Sequence, residues 1–173
     1  LGDDFRNIAD KTRNANRSLS ANVWGFEAST IDRNLVHHNV FFSDKVNSEF
    51  YEIEKGQIPL DPTLYICAQD REEANKGQKI ERFEIILNAP PLSKRQSNKE
   101  DFEICKSVTL ERFKNFGLNF QVDLERKNLT TPKDFNNLFP ATEGSLYGQS
   151  PDGLLATFQR PKCVTSIANL FLV

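Results

Sequence analysis

Seven short runs rich in β-branched and aromatic residues recur along the chain, and they constrain its fold more than any other feature. They occupy residues 20–26, 39–42, 63–68, 80–89, 120–126, 154–159 and 169–173. Short runs of this composition, separated by polar or Gly/Pro-containing segments, are typical of β-strands. All are far shorter than the roughly 20 apolar residues of a membrane-spanning helix. We therefore expect a sheet-based fold with no transmembrane helix.

Three helix signals lie between these runs. An apolar stripe predicts a helix over 98–116, which starts from the capping-box spacing of Ser97 and Glu100. A second helix is expected over 44–55, with Ser43 as its N-cap. A third begins where Thr131 can cap and a proline takes the first helical position. The predicted fold class is α+β, with a mixed sheet and flanking helices.

Length and charge narrow the class of protein. The 173 residues suffice for one domain with a real core, and no internal boundary is indicated. The 22 basic and 24 acidic residues are interspersed, and the formal charge is -2. No basic run exceeds a pair, so we expect no nucleic-acid partner. The first residues lack the basic-then-apolar layout of a signal peptide, and we expect a cytoplasmic location.

The cysteines and histidines do not predict a metal site. Cys67, Cys105 and Cys163 are widely spaced, and they fit neither a disulfide framework nor a paired-cysteine zinc site. We interpret them as reduced thiols that fill space in the core. His37 and His38 are adjacent, and neighbouring residues on a strand point to opposite faces. We therefore expect the two rings to diverge and no metal to bind.

Motifs of known catalytic chemistry do not occur in the chain. Its eight glycines include no Gly-x-Gly, so the phosphate cradle of a dinucleotide-binding fold is absent. The P-loop, the Gly-x-Ser-x-Gly elbow and the paired-histidine zinc helix are also missing. No catalytic residue is assigned on this basis.

Two groups of residues are candidates for ligand contact. Trp24, Phe41 and Tyr65 could line an apolar substrate pocket, although aromatic residues on strands more often pack in the core. The turn at 144–149 places two glycines around small and aromatic residues, which allows close backbone approach to a flat partner. An ordinary β-turn is the alternative interpretation.

Five segments, taken in order, carry a resemblance to a known family. They are Arg17-Ser18-Leu19-Ser20 with Trp24, His38-Asn39-Val40-Phe41-Phe42-Ser43-Asp44 leading into Glu49-Phe50, Asp61-Pro62-Thr63-Leu64-Tyr65-Ile66-Cys67-Ala68-Gln69-Asp70-Arg71, Leu87-Asn88-Ala89-Pro90, and the run from Thr131 onward. That last run contains Thr131-Pro132-x-Asp134-Phe135, Phe139-Pro140-Ala141-Thr142-x-Gly144-Ser145-Leu146-Tyr147-Gly148 and Ala156-Thr157-Phe158-x-Arg160-Pro161. The ordered set resembles the phytoene desaturase family within the FAD-dependent amine oxidase superfamily. Within that family it is most similar to the bacterial hydroxycarotenoid 3,4-desaturases, also called methoxyneurosporene dehydrogenases.

The resemblance implies a domain arrangement. Such enzymes carry an N-terminal Rossmann-like FAD segment and a C-terminal Gly-rich FAD segment, with a substrate domain between them. Residues 1–173 are then expected to be the substrate-domain portion of a larger FAD-dependent oxidoreductase, truncated so that both FAD-binding segments are missing. The absence of a starting Met and the apolar end at 169–173 agree with this expectation.

The resemblance also implies a reaction in carotenoid biosynthesis. A desaturase of this family removes two hydrogens across a carbon–carbon single bond of a (hydroxy)carotenoid, one of them as hydride to FAD. The substrate domain walls an apolar tunnel, and the residues placed near the flavin are Gly144, Ser145, Tyr147, Gly148 and Gln149. The carotenoid is the expected partner, with peripheral association at the inner membrane. The isolated piece is expected to be inactive.

Two other functions stay open from the sequence. One is a related flavin-dependent polyene saturase or isomerase. The other is a free-standing apolar-ligand binding module that never contacts flavin. An exposed apolar patch would favour the two enzyme functions over a compact carrier.

Overall fold

The computed structural model describes residues 6, 13, 15–30, 35–71, 80–151, 158, 163–165 and 167–171. The elements in these ranges are, in order, β1 (Ser20–Thr30), β2 (His38–Phe41), α1 (Val46–Glu54), β3 (Leu64–Ala68), β4 (Glu81–Ala89), α2 (Asp101–Asn115), β5 (Phe120–Gln121), a 3-10 turn (Arg126–Asn128), β6 (Leu129–Thr130) and α3 (Pro132–Leu138). The predicted α+β class is confirmed.

The strands form one six-stranded sheet with the order β2-β3-β4-β1-β5, and β6 also pairs with β1. All five strand pairs are antiparallel, so the parallel component of a mixed sheet does not occur among the described strands. The long register between β1 and β4, from Ser20 opposite Ala89 to Ala28 opposite Glu81, forms the centre of the sheet. The short β2 is an edge strand.

One face of the sheet is covered by α2 and forms the core. Alternate residues of the strands point to this face, as the period of two requires. The cluster comprises Trp24, Phe26, Ala28, Leu35, Leu64, Ile66, Ala68, Phe83, Ile85, Leu87, Cys105, Val108, Phe113, Leu118, Leu124 and Leu129. The indole Nε1 of Trp24 donates to the hydroxyl of Thr109 at 2.9 Å, and that hydroxyl donates to the Cys105 carbonyl at 2.7 Å. The indole N–H and the Thr109 hydroxyl, which are buried between sheet and helix, are thereby satisfied.

The helix ends differ in detail from those expected. Helix α2 begins at Asp101 rather than at residue 98, with Glu100 at its N-cap position. The side chain that accepts from the amides before the helix is that of Asn98 rather than Ser97, at 2.9 Å from Glu100 and 3.0 Å from Asp101. Ser43 does not cap α1, because its hydroxyl donates to Asp61 at 2.8 Å and accepts from the Lys45 amide at 2.9 Å. For α3 the predicted Thr131 cap is confirmed, with a reciprocal capping box.

Three strand predictions have a partial outcome. The run at 120–126 forms only the two-residue β5, and its remainder leads into the 3-10 turn. The run at 154–159, apart from Phe158, lies outside the described residues. Within 169–173 the structure describes Asn169, Leu170 and Phe171, and Phe171 forms an isolated antiparallel bridge with Val164.

Candidate functional site

A row of four side chains crosses the sheet face that points away from α2. Val40 on β2 lies opposite Tyr65 on β3, Tyr65 opposite Ile86 on β4, and Ile86 opposite Val23 on β1. Tyr65 and Ile86 each lie between two core residues on their strands. The strand pairs place Val40 and Val23 in register with them, so these four share the outer face. We call them the outer row. The side chains are partly buried or exposed, and they form an apolar strip across four strands.

The three predicted pocket residues do not share one face. Trp24 is fully buried in the core beside Phe102, with ring centroids 6.0 Å apart. Phe41 packs against Phe116 on the same side, at 5.0 Å between ring centroids. Tyr65 instead belongs to the outer row. These residues therefore cannot line one side of a single cavity.

Several residues in and before the 144–149 turn have positive φ angles. Gly144 and Gly148 have φ of +73° and +67°, which side chains rarely adopt. A Cβ at Gly144 would overlap the carbonyl of Pro132 in α3, whereas a Cβ at Gly148 would meet nothing within 4 Å. Ala141 and Glu143 also have positive φ, at 66° and 57°. The approach to the turn is thus closely packed, and its far end is open.

Hydrogen bonds tie this turn to the start of β1. The Ser20 hydroxyl donates to the Gly144 carbonyl at 2.5 Å. The Leu146 amide donates to the Leu19 carbonyl at 3.1 Å, and the Ser18 amide donates to the Gly148 carbonyl at 2.9 Å. Two of the predicted family segments, far apart in sequence, therefore meet in one rigid unit.

The five residues predicted to approach a flavin differ in what they can present. Ser145 is buried, and its hydroxyl donates to the Gly148 carbonyl at 2.9 Å, so it serves the turn itself. Gln149 is partly buried beside Arg17, with which it forms a β-bridge. The Tyr147 side chain is 70% exposed. Tyr147 and the uncovered Cα face of Gly148 are parts of the turn available to a partner.

Buried polar groups join the other family segments. Glu49 of α1 is only 1% exposed and accepts from the Thr63 hydroxyl at 2.8 Å and from the Asn88 amide at 3.0 Å. Beside it, the buried Arg112 forms an ion pair with Asp61. Motif-based reasoning assigned these residues no role, because a buried carboxylate and its partners have no characteristic spacing in sequence.

The two histidines contradict the expectation that their rings diverge. The ring centroids of His37 and His38 lie 4.2 Å apart at 87°. His37 precedes β2, which begins at His38, so the alternation of strand side chains does not apply to the pair. Cys67 lies beside both. Sequence spacing could not indicate this cluster, because its members meet only through the pairing of β2 with β3.

Two surface clefts are lined by charged residues. One, of about 460 Å³, lies between the start of α2 and the start of α3, and its walls include Arg95, Asp101 and Arg126. The other, of about 530 Å³, includes Glu27, Arg82 and Glu84. Apolar side chains such as Ile58, Pro90 and Phe102 line the first cleft as well.

Curated relatives of the chain are carotenoid-modifying proteins. It is 46% identical to the hydroxyneurosporene desaturase of Cereibacter sphaeroides over 172 residues, which is 99% of this chain and 34% of the relative. Along its whole length the chain resembles the phytoene desaturase family. The family resemblance expected from the five segments is thereby confirmed.

Two more distant members of the phytoene desaturase family match nearly the same range of residues in this chain. The chain is 35% identical to the hydroxyneurosporene desaturase of Rubrivivax gelatinosus, over 99% of this chain and 33% of that protein. It is 30% identical to the 1-hydroxycarotenoid 3,4-desaturase of a Flavobacterium species, over 95% of this chain and 34% of that protein. The chain therefore spans about a third of the length of these relatives. No family model matches it.

In this segment of the phytoene desaturase family, the resembling motifs are chiefly structural. Glu49 accepts hydrogen bonds from Thr63 and Asn88. Asp61 forms an ion pair with Arg112, and Thr131 caps a helix. No helix among the described ranges is both long and apolar enough to cross a membrane. Among the described residues, the outer row and the exposed end of the 144–149 turn are two surfaces open to a partner.

Proposed function

We propose that this chain is the substrate-domain portion of an FAD-dependent carotenoid desaturase, which introduces a carbon–carbon double bond into a (hydroxy)carotenoid. One observation carries the proposal: the chain matches hydroxyneurosporene desaturases along 99% of its length at 46% and 44% identity. A 1-hydroxycarotenoid 3,4-desaturase also matches, over 95% of this chain and 34% of its own length. The proposed reaction class follows from those relatives.

We assign the redox step to FAD held mainly by sequence outside residues 1–173. When bound, the flavin supplies the oxidising equivalent by accepting hydride, while the protein orients substrate and excludes water. The chain has no glycine-rich phosphate cradle, but the 144–149 turn fits a contact with a flat ring. Gly148 has no side chain and free space at its Cβ position, and Tyr147 is exposed beside it. Tyr147 would contact the flavin, while Ser145 would hold the turn in shape.

The outer row is our candidate for the substrate wall. Adjacent strands are about 4.8 Å apart, so a row across four strands extends about 14 Å. An unbroken apolar strip of that length suits an elongated polyene, because burying such a ligand against it removes apolar surface from water. Tyr65 and Ile86 at its centre would make the closest contacts. Trp24 and Phe41 would act on substrate only indirectly, by supporting the sheet from the core side.

Exposed apolar side chains near α1 support a peripheral membrane contact. Phe42, Phe50 and Leu60 are 66%, 46% and 69% exposed. A lipid-dissolved substrate reaches an enzyme most directly through a surface that itself inserts apolar side chains into the interface. We propose that this surface faces the inner membrane or the rest of the enzyme.

The reaction is tested with the full-length protein and hydroxyneurosporene in liposomes, by following the absorption band of the carotenoid. A desaturase lengthens the conjugated system and moves the band to longer wavelength. A band that moves to shorter wavelength identifies the alternative, a saturase, and refutes the desaturase proposal. An unchanged wavelength with altered isomer composition identifies an isomerase and refutes it equally.

The substrate wall is tested separately with Ile86→Asn. A polar group held against an apolar ligand without a partner costs about 1–3 kcal/mol, so kcat/KM should fall roughly 5- to 150-fold. Ile80→Asn is the matched control, because Ile80 is 58% exposed and precedes β4. Equal activity of the two variants would reject the outer row as the wall while leaving the desaturase assignment untouched.

The flavin contact is tested with Tyr147→Ala in the full-length holoenzyme. Removing an aromatic ring beside the flavin should change the flavin absorption and fluorescence. Tyr51→Ala is the matched control, since Tyr51 is 61% exposed, compared with 70% for Tyr147, and lies on α1. Identical flavin spectra for both variants and the parent protein would place the turn away from the cofactor.

A free-standing carrier of apolar ligands has less support from the geometry. A carrier requires an enclosed apolar chamber, whereas the surface clefts described above mix charged with apolar side chains. The outer row is an open strip rather than a chamber, which suits a wall completed by other parts of an enzyme.

A further inference from the structure

Three side chains with metal-ligating atoms converge on the outer face beside the outer row. They are His37, His38 and Cys67, and one ligating atom from each lies within 4.8 Å of the other two. We call them the His-His-Cys cluster. Nothing in the proposed desaturase chemistry uses these side chains, and the closeness of the two histidines was not expected from their positions in sequence.

Strand pairing brings the cluster together. His38 on β2 lies directly opposite Cys67 on β3. The His37 carbonyl accepts the Ala68 amide at 2.9 Å, which extends the ladder by one step and fixes the backbone that bears the first imidazole. Main-chain hydrogen bonds between the two segments thus hold the backbone of His37, His38 and Cys67 in place. This reduces the ordering that a bound ion must impose.

The spacing of the atoms fits a shared cation. A tetrahedral zinc ion with Zn–N of about 2.05 Å and Zn–S of about 2.3 Å separates its nitrogen and sulfur ligands by about 3.6 Å. The Nε2 of His37 lies 3.7 Å from the Cys67 sulfur. His38 is exposed at the sheet edge, so its ring can move the short remaining distance. The cluster needs little rearrangement to enclose a metal ion.

The surroundings of the two imidazoles indicate which nitrogen of each ring would bind a metal. Nδ1 of His38 lies 2.7 Å from the Tyr65 hydroxyl, an outer contact that can fix the tautomer and leave Nε2 for a metal. Nδ1 of His37 is buried, so Nε2, which lies 3.7 Å from the Cys67 sulfur, is the nitrogen of that ring placed for a shared ion.

Nearby charge favours a cation. Glu84 on β4 lies opposite Cys67 and shares its face of the sheet. Directly opposed residues have Cβ atoms about 5 Å apart, so this carboxylate adds negative charge next to the thiol. A thiolate with two imidazoles selects borderline and soft ions such as Zn²⁺ over Mg²⁺ or Ca²⁺.

We propose that His37, His38 and Cys67 bind a zinc-class transition-metal ion, with solvent in the fourth position. The ion ties the short edge strand β2 to β3 at the end of the outer row. Tyr65 belongs to both features, since its ring is part of the outer row and its hydroxyl contacts His38. Metal binding therefore stabilises the edge of the sheet next to the surface assigned to substrate.

The test measures metal binding to the full-length protein after chelator treatment and removal of the chelator. Zn²⁺ should bind with a stoichiometry of one per cluster, and Co²⁺ should produce a thiolate-to-cobalt absorption band in the near ultraviolet. Loss of an outer-sphere partner alone costs 10- to 100-fold in affinity, so Cys67→Ser should weaken Zn²⁺ binding by at least about tenfold and abolish the cobalt band. Cys163→Ser is the matched control, because Cys163 is exposed and outside the cluster.

His38→Gln keeps the test decisive if the buried Cys67→Ser substitution prevents folding. His38 is exposed, so its replacement should leave the fold intact and still weaken Zn²⁺ binding by at least about tenfold. Binding that is equal in the parent, His38→Gln and Cys163→Ser proteins would overturn the proposal. Failure of the parent protein to give a cobalt–thiolate band would overturn it as well, whatever the desaturase assay shows.

Discussion

Replacing Gly144 by alanine should open the 144–149 turn, whereas the same replacement at Gly148 should be mild. The two glycines have nearly equal φ, +73° and +67°, so each alanine carries the same backbone cost of about 1–2 kcal/mol. They differ in what the new methyl group meets. At Gly144 it meets the Pro132 carbonyl, which is backbone and cannot swing aside, whereas at Gly148 it meets open space.

The additional cost at Gly144 can be worked from the hydrogen bonds that the turn must give up. Moving the turn away from α3 breaks the bond from the Ser20 hydroxyl at 2.5 Å and stretches the bonds donated by the Ser145 and Leu146 amides, both 3.1 Å. Each contributes about 1 kcal/mol net. Gly144→Ala should therefore cost about 2–3 kcal/mol more than Gly148→Ala.

Amide hydrogen exchange, read by mass spectrometry on peptides that cover residues 129–150, measures this difference in the full-length protein. A local cost of about 2–3 kcal/mol accelerates exchange through opening by roughly 30- to 150-fold at the Leu146 amide. Gly148→Ala provides the matched control for the loss of a glycine. Equal exchange in the two variants would refute the claim that close packing against Pro132 shapes the turn.

Two further predictions concern titratable groups. Burial raises the pKa of Asp134, but hydrogen bonds from Thr131 and Arg126 outweigh it and hold the pKa below the usual 3.8. The stability of the α3 cap is therefore present above pH 3.8 and is lost as the pH falls below that value. Circular dichroism across roughly pH 2–5 should show this loss in the parent protein but not in Asp134→Asn. Burial raises the pKa of the Cys105 thiol to about 12. An alkylating reagent at neutral pH should therefore label the exposed Cys163 and spare Cys105 until the protein unfolds. Equal labelling of the two thiols in the native protein would contradict the packing of α2.

Local features of the fold could be predicted because their causes lie within a few residues. The alternation at 80–89 indicates a strand with one buried face, and β4 (Glu81–Ala89) has that pattern. Thr131 and Asp134 satisfy each other across a single turn, so the start of α3 is determined locally. The start of α2 was expected at residue 98 but lies at Asp101, because Asn98 forms a turn with the amides of Glu100 and Asp101 before the helix begins.

Features that depend on strand register could not be predicted. Trp24 and Tyr65 both have the composition of pocket residues, but the register places them on opposite faces of the sheet. A register shift of one residue would have moved each of these side chains to the other face of the sheet. The buried network around Glu49 likewise requires α1, the approach to β3 and the end of β4 to be packed together.

The sequence by itself determined the α+β class, the family and the positions of most strands and helices, because hydrophobic period, capping and ordered motifs are properties of the chain read locally. Only the tertiary structure decided that the 144–149 turn docks on the start of β1 and that His37, His38 and Cys67 meet at the sheet edge. The physical reason is that these contacts join segments distant in sequence. Their geometry depends on strand pairing and side-chain packing, which no local pattern encodes.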